Sequence, residues 1–196
     1  MSVVDYHQFW NEFNVYLSWL YVSFSVVCVG LCIRHTNVRW LLGSLALVQW
    51  LGMLATPWMR EQGILYYLLI SLFDVLIILL IFFRQSLCAF LSSPGFKSRF
   101  YTRWLSQLAN SAEQTYRLTG IEYFIILVYL VSITVNSLSF LEALLRNVGV
   151  NSLIIWYLFP PLKLMTWCLT SLSAFIAVFH VKKGKEELLY QVSKPV

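Results

Sequence analysis

QGILYYLLISLFDVLIILLIFF, residues 62–83, carries one charge, Asp74. A helix needs about 20 mostly apolar residues to cross the hydrocarbon core of a bilayer, and this run is long enough. Asp74 stands near its middle, where a carboxylate is costly in lipid and flags function by default. The whole chain has the same character. It is 59% hydrophobic and only 12% charged, with a mean hydropathy of +0.71. A soluble domain carries about 25% charged residues, so too little charge is present to cover a water-facing surface. Disordered chains are poor in apolar residues, which excludes that class as well.

Outward from 62–83, four more long apolar runs appear. Residues 13–33 hold no Asp, Glu, Lys or Arg, and neither do 40–59, although Gln49 and Pro57 interrupt the second run. Residues 121–142 form a crossing with Glu122 and Glu142 at its borders. The run 151–181 is longer than one crossing needs, and Pro160-Pro161 divides it. Proline fits the first turn of a helix and disrupts the interior. The simplest parse therefore starts the last crossing at Pro160 or Pro161, spans 160–181, and leaves 152–159 as an interfacial or re-entrant segment. The alternative is one long helix, kinked at the prolines and tilted. The expected fold is an all-α polytopic transmembrane bundle of about five crossings, forming one membrane domain over 1–196.

The net charge of +5 reads as orientation rather than as affinity for nucleic acid. Alternate connections gather 11 of the 14 basic residues on one side, and basic connections stay cytoplasmic. This places the N-terminus outside and the C-terminus inside, in a cell inner (plasma) membrane. The acidic start, with Asp5 and Glu12 and no basic residue before 13, does not suit a cleavable signal peptide. The connection between the third and fourth crossings shows a helical period over 97–118, with Phe100, Trp104, Leu108, Ala112 and Tyr116 on one stripe. Lys97, Arg99 and Arg103 crowd its beginning, and Lys182, Lys183 and Lys185 open the basic tail 182–196. Such a helix suits lipid headgroups or packs on the cytoplasmic ends of its neighbours.

Candidate chemistry is sparse. Asp74 has one candidate opposite charge within the apolar runs, Lys163. The two meet only if the last helix begins before the prolines; otherwise Lys163 is shallow and snorkels to water. Asn136 is a further candidate partner, in a crossing that also holds Ser132, Thr134, Ser137 and Ser139. Hydroxyls of this kind bond between helices or line a pore. Cys28, Cys32 and His35 fall on one helical stripe and are weak metal candidates without an obvious fourth ligand. Cys88, just past the third crossing, is placed for S-acylation. There is no P-loop, no H-E-x-x-H and no G-x-S-x-G, so neither enzyme activity nor a cofactor is expected.

The expected function is a non-catalytic interaction, anchoring or sensing subunit of a membrane complex. Its partners would be the bilayer and either further copies of itself or a cytoplasmic protein. In size and layout the chain is similar to small membrane subunits of bacterial phage-defence systems such as Kiwa, an analogy of architecture without a shared motif. The rival expectation is a small oligomeric channel or carrier with Asp74 in the pathway.

Overall fold

The computed structural model describes residues 3–32, 36–92, 120–150 and 154–182. These residues form an all-α bundle: α1 Val3–Leu31, α2 Thr36–Glu61, α3 Tyr66–Phe82, α4 Arg84–Ser92, α5 Gly120–Asn147 and α6 Ile154–Lys182. A 3₁₀ turn, Gly63–Leu65, joins α2 to α3. Gly63 takes φ +59°, a left-handed backbone that glycine adopts without the Cβ penalty. The reversal is thereby made within a few residues.

Among the described residues, four helices are long and apolar enough to cross a membrane: Val38–Glu61, Gly63–Phe82, Gly120–Asn147 and Tyr157–Phe179. The chain is a multi-pass membrane protein on this ground. Among the described residues of α1, Tyr16–Leu31 is a further, shorter apolar stretch, and it lies within the first expected crossing, 13–33.

The helices close into a ring, α1 on α2, α2 on α3, α3 on α5, α5 on α6, and α6 back on α1. Burial in this ring is inverted relative to a soluble bundle. Along α5, Glu122, Ser132, Asn136, Ser139 and Glu142 are buried, while Leu127, Leu130, Val131, Leu138 and Leu141 lie on the outside. The same holds on α3, where Asp74 is inside and Leu68, Leu72, Leu76 and Leu79 are outside. Lipid tails are as apolar as leucine, so nothing drives these leucines inward, and helix contact rests on packing and polar bonds. A apolar cluster still fills one half of the ring: Leu41, Leu45, Val48, Ile77, Ile81, Ile125, Ile126 and Tyr129.

The structure corrects the proline parse. Pro160 and Pro161 lie inside α6, which begins at Ile154, so residues 154–159 are helical rather than re-entrant. The physical reason is the solvent. Two prolines remove two backbone bonds, whereas an irregular segment in lipid would leave a whole run of amides unpaired at several kcal/mol each. The second turn of α6 is also held from the side, since the Phe159 ring meets Tyr67 edge-on at 5.2 Å. The amphipathic helix expected over 97–118, with Lys97, Arg99 and Arg103, lies outside the described residues, as do His35, Lys183 and Lys185. Lys182 ends α6.

Continuity of α6 has a measurable consequence. Pro161 is exposed, so Pro161→Ala removes little packing and restores a helical amide. We expect it to stabilise the protein by about 1–3 kcal/mol, read as a higher melting temperature in detergent. A lower melting temperature would mean that the prolines shape a required break.

Candidate functional site

The geometry begins with depth. Asp74 lies eight residues into α3 and Lys163 nine residues into α6, about 12–14 Å from the same end of the ring at 1.5 Å per residue. A helix starting at Pro160 would have left Lys163 near the surface. Starting at Ile154, α6 carries it to the level of Asp74, and the two pair at 3.2 Å.

Asp74 is held by more than Lys163. Its Oδ2 accepts hydrogen bonds from Ser132 Oγ at 2.6 Å and Asn136 Nδ2 at 2.8 Å, in addition to Lys163 Nζ. Ser132 and Asn136 are four residues apart on α5 and so share a face. Lys163 Nζ also donates to Ser132 Oγ. One carboxylate oxygen thus ties α3 to α5 and α6. In a low-dielectric interior each charge needs its partner and further hydrogen bonds to offset desolvation. Asn136 Oδ1 is buried and has no hydrogen-bond partner in this arrangement, which makes its amide nitrogen the part that the cluster requires.

A second polar group lies beside the first. Gln49 Nε2 on α2 donates to the Tyr129 hydroxyl at 3.0 Å, and Tyr21 on α1 and Thr170 on α6 face that hydroxyl as well. Tyr129 sits one turn from Ser132 on α5, on the same inward face. All five helices of the ring therefore send a polar side chain to one level.

Above this level the ring is hollow. A cavity of about 440 Å³ has Asp74, Ser132, Lys163, Gln49 and Tyr129 among its lining residues, with Arg60 and Tyr66 at the α2–α3 turn. Its walls are apolar and aromatic, including Met53, Phe73 and Trp167. Ligand sites are commonly clefts of about 300–1,000 Å³ with mostly apolar walls and a few placed polar groups. Val48 and Ile77 at the top of the apolar cluster also line the cavity, and Leu41, Leu45, Ile81 and Ile125 of the same cluster fill the space below.

A further ion pair closes the far end. Arg84, the first residue of α4, bonds Glu122 in the first turn of α5, and both are almost fully buried. Arg84 follows Asp74 by ten residues, and Glu122 precedes Ser132 by ten. The antiparallel pair α3/α4 and α5 is thus clamped twice, about 15 Å apart. In the sequence Arg84 and Glu122 look like border charges. The signal that could have found them is their equal spacing from Asp74 and from the polar stripe of α5.

Other candidates fare differently. Asp74, Lys163 and Asn136 come together. Other hydroxyls of α5 and α6 turn back on their own helices: Ser139 on the carbonyl of Val135, Thr166 on Leu162 and Ser173 on Leu169, while Thr170 bonds the carbonyl of Thr166 and also faces Tyr129. Back-bonding of this kind satisfies a hydroxyl locally and needs no pore. Cys28 and Cys32 pack in an apolar cluster with Leu42, Ala174 and Val178, and the described residues hold no group of three metal ligands. Cys88 is fully buried against Trp40 and Leu91, so it is not displayed for acylation. No family model, curated protein or solved structure is detectably similar to this chain.

The Arg84–Glu122 clamp is tested by removing one partner. Arg84→Met takes the cation away from the buried Glu122 carboxylate and is expected to cost about 3–5 kcal/mol. Arg84→Met with Glu122→Leu should regain most of that in thermal unfolding. Equal loss in the single and double variants would show that the charges do not act as a pair.

Proposed function

We propose that this chain is a non-catalytic sensing subunit of a membrane complex, which binds a small solute in the ring cavity. The observation that carries this reading is the cavity floor. The charges that a guest would meet, Asp74 and Lys163, are the same ones that hold α3, α5 and α6 together. A guest that bonds either group competes with a bond between helices, and differential contact is what shifts a conformational equilibrium. The second clamp, Arg84–Glu122, stands on the same helix pair. It lies at the end where the chain leaves for residues 93–119, so a loosened α3–α5 contact would be felt there.

The distribution of basic residues supports an orientation with the N-terminus outside and the C-terminus in the cytoplasm of a plasma or inner membrane. In that orientation the cavity faces outward and Arg84–Glu122 faces the cytoplasm. Lys97, Arg99, Arg103, Lys182, Lys183 and Lys185 would then meet lipid headgroups or a cytoplasmic partner protein. A phage-defence setting is compatible with this layout and rests on the architectural analogy alone. The apolar cluster between the floor and Arg84 favours sensing over an open channel, because it stands where a conducting path would continue.

The reading predicts coupling between floor and clamp. In nanodiscs, Ser132→Ala should speed amide hydrogen exchange in residues 84–92 and 120–126 by about tenfold, the effect of roughly 1.4 kcal/mol of lost local stability. Faster exchange confined to residues 70–78 and 128–136 would contradict coupling. In parallel, reconstituted protein should pass no ion current across planar bilayers. A current abolished by Asp74→Asn would replace the sensing reading with the channel or carrier one.

A further inference from the structure

The charges around the cavity are unequal in what they have left to offer. Asp74 is the one carboxylate among the described lining residues. Three donors converge on its Oδ2, one of them the Lys163 ammonium, so its charge is already paired. That ammonium carries three N–H donors, of which two go to Asp74 and Ser132. It also stands 5.9 Å from the centre of the Phe159 ring, a weaker contact than a hydrogen bond to an anion. Arg60, at the last turn of α2, adds a second cation to the lining, with the Tyr66 hydroxyl against it. The described lining thus holds two cations to one carboxylate, an excess of one positive charge.

The rest of the lining asks for an apolar body. Met53, Ile70, Phe73 and Trp167 stand along the wall. Trp19 on α1 and Leu54 on α2 also line the cavity, yet each is 57% exposed on the outer surface of the ring. At these two residues the cavity wall reaches the lipid-facing surface of the ring. A molecule dissolved in the bilayer can enter there without crossing the ring.

We propose that the cavity binds a lipophilic anion, an acyl-sized apolar body ending in a carboxylate or phosphate. The acid group takes the remaining Lys163 donor, Arg60 attracts it at the mouth, and the body lies against Met53, Phe73 and Trp167. This names the ligand class of the sensing site proposed above and rests on that reading. An acid on that remaining donor sets a second negative charge beside Asp74, and the repulsion between them is what would loosen the floor.

The probes are ω-bromodecanoate, ω-bromodecanol and ω-bromodecylamine, which share one body and differ in head group. Bromine quenches nearby tryptophan, and Trp19 and Trp167 line the cavity. With the full-length protein in nanodiscs of neutral lipid, the carboxylate should quench saturably at a concentration about tenfold below that of the alcohol, a difference of about 1.4 kcal/mol. Arg60→Gln should remove most of that advantage. Met53→Trp, which fills the cavity, should abolish saturation. Lys163 is tested as Asp74→Asn with Lys163→Met, so that no unpaired charge is left to unfold the ring; this pair should also lose the preference.

Equal quenching by acid and alcohol would overturn the proposal, and so would preference for the amine. Saturable quenching that persists in Met53→Trp would place the acid outside the cavity and overturn it too. Quench protection by butyrate or inorganic phosphate as strong as that by decanoate would remove the apolar body from the proposal and overturn it in that form. None of these outcomes touches the exchange coupling between floor and Arg84–Glu122, so failure of the ligand class and failure of the sensing reading can be told apart.

Discussion

One carboxylate oxygen organises this bundle. Asp74 Oδ2 takes hydrogen bonds from Ser132, Asn136 and Lys163, and those residues stand on α5 and α6 while Asp74 stands on α3. In water such a cluster would compete with solvent and contribute little. In lipid there is no solvent to compete, and an unpaired charge costs several kcal/mol. The constraint thus works in one direction: once Asp74 is inside the bilayer, α5 and α6 must bring their donors to it. Association that leucines cannot drive in a hydrocarbon solvent is imposed by one acid.

The consequences run along the helices. Because Ser132 and Asn136 face inward, the whole inward stripe of α5 is fixed, and Tyr129 and Ile125 follow it into the ring. Ten residues further on, the same stripe delivers Glu122 to Arg84. Between the two clamps lies the apolar cluster, and above the upper one lies the cavity. A hollow half and a filled half therefore meet at the level of Asp74. A change at that level has a filled, tightly clamped element on one side and open space on the other.

Much of this could be read from the residues. Apolar runs and their lengths gave an all-α membrane bundle, and Asp74, Lys163 and Asn136 stood out because lipid makes them expensive. What the sequence left open was depth. Whether Lys163 reaches Asp74 depends on where α6 starts, and Pro160-Pro161 pointed to the wrong boundary because local propensity was weighed without the cost of bare backbone in lipid. Arg84 and Glu122 were hidden for a related reason. They sit at the ends of apolar runs, where charges are ordinarily solvated, and only the antiparallel register of α3/α4 with α5 brings them together. The serines and threonines of α5 and α6 look alike in sequence. Facing and distance separate Ser132, which bonds across helices, from Ser139 and Ser173, which bond back along their own.

The central claim is that Asp74 and Lys163 act as one interaction that holds the ring. A double-mutant cycle measures this directly. Thermal unfolding in detergent is followed for wild type, Asp74→Asn, Lys163→Met and the combined variant. The account predicts that Lys163→Met alone costs about 3–5 kcal/mol and that adding Asp74→Asn recovers a large part, giving a coupling energy well above about 0.5 kcal/mol. A double variant no more stable than the worse single variant would contradict the account.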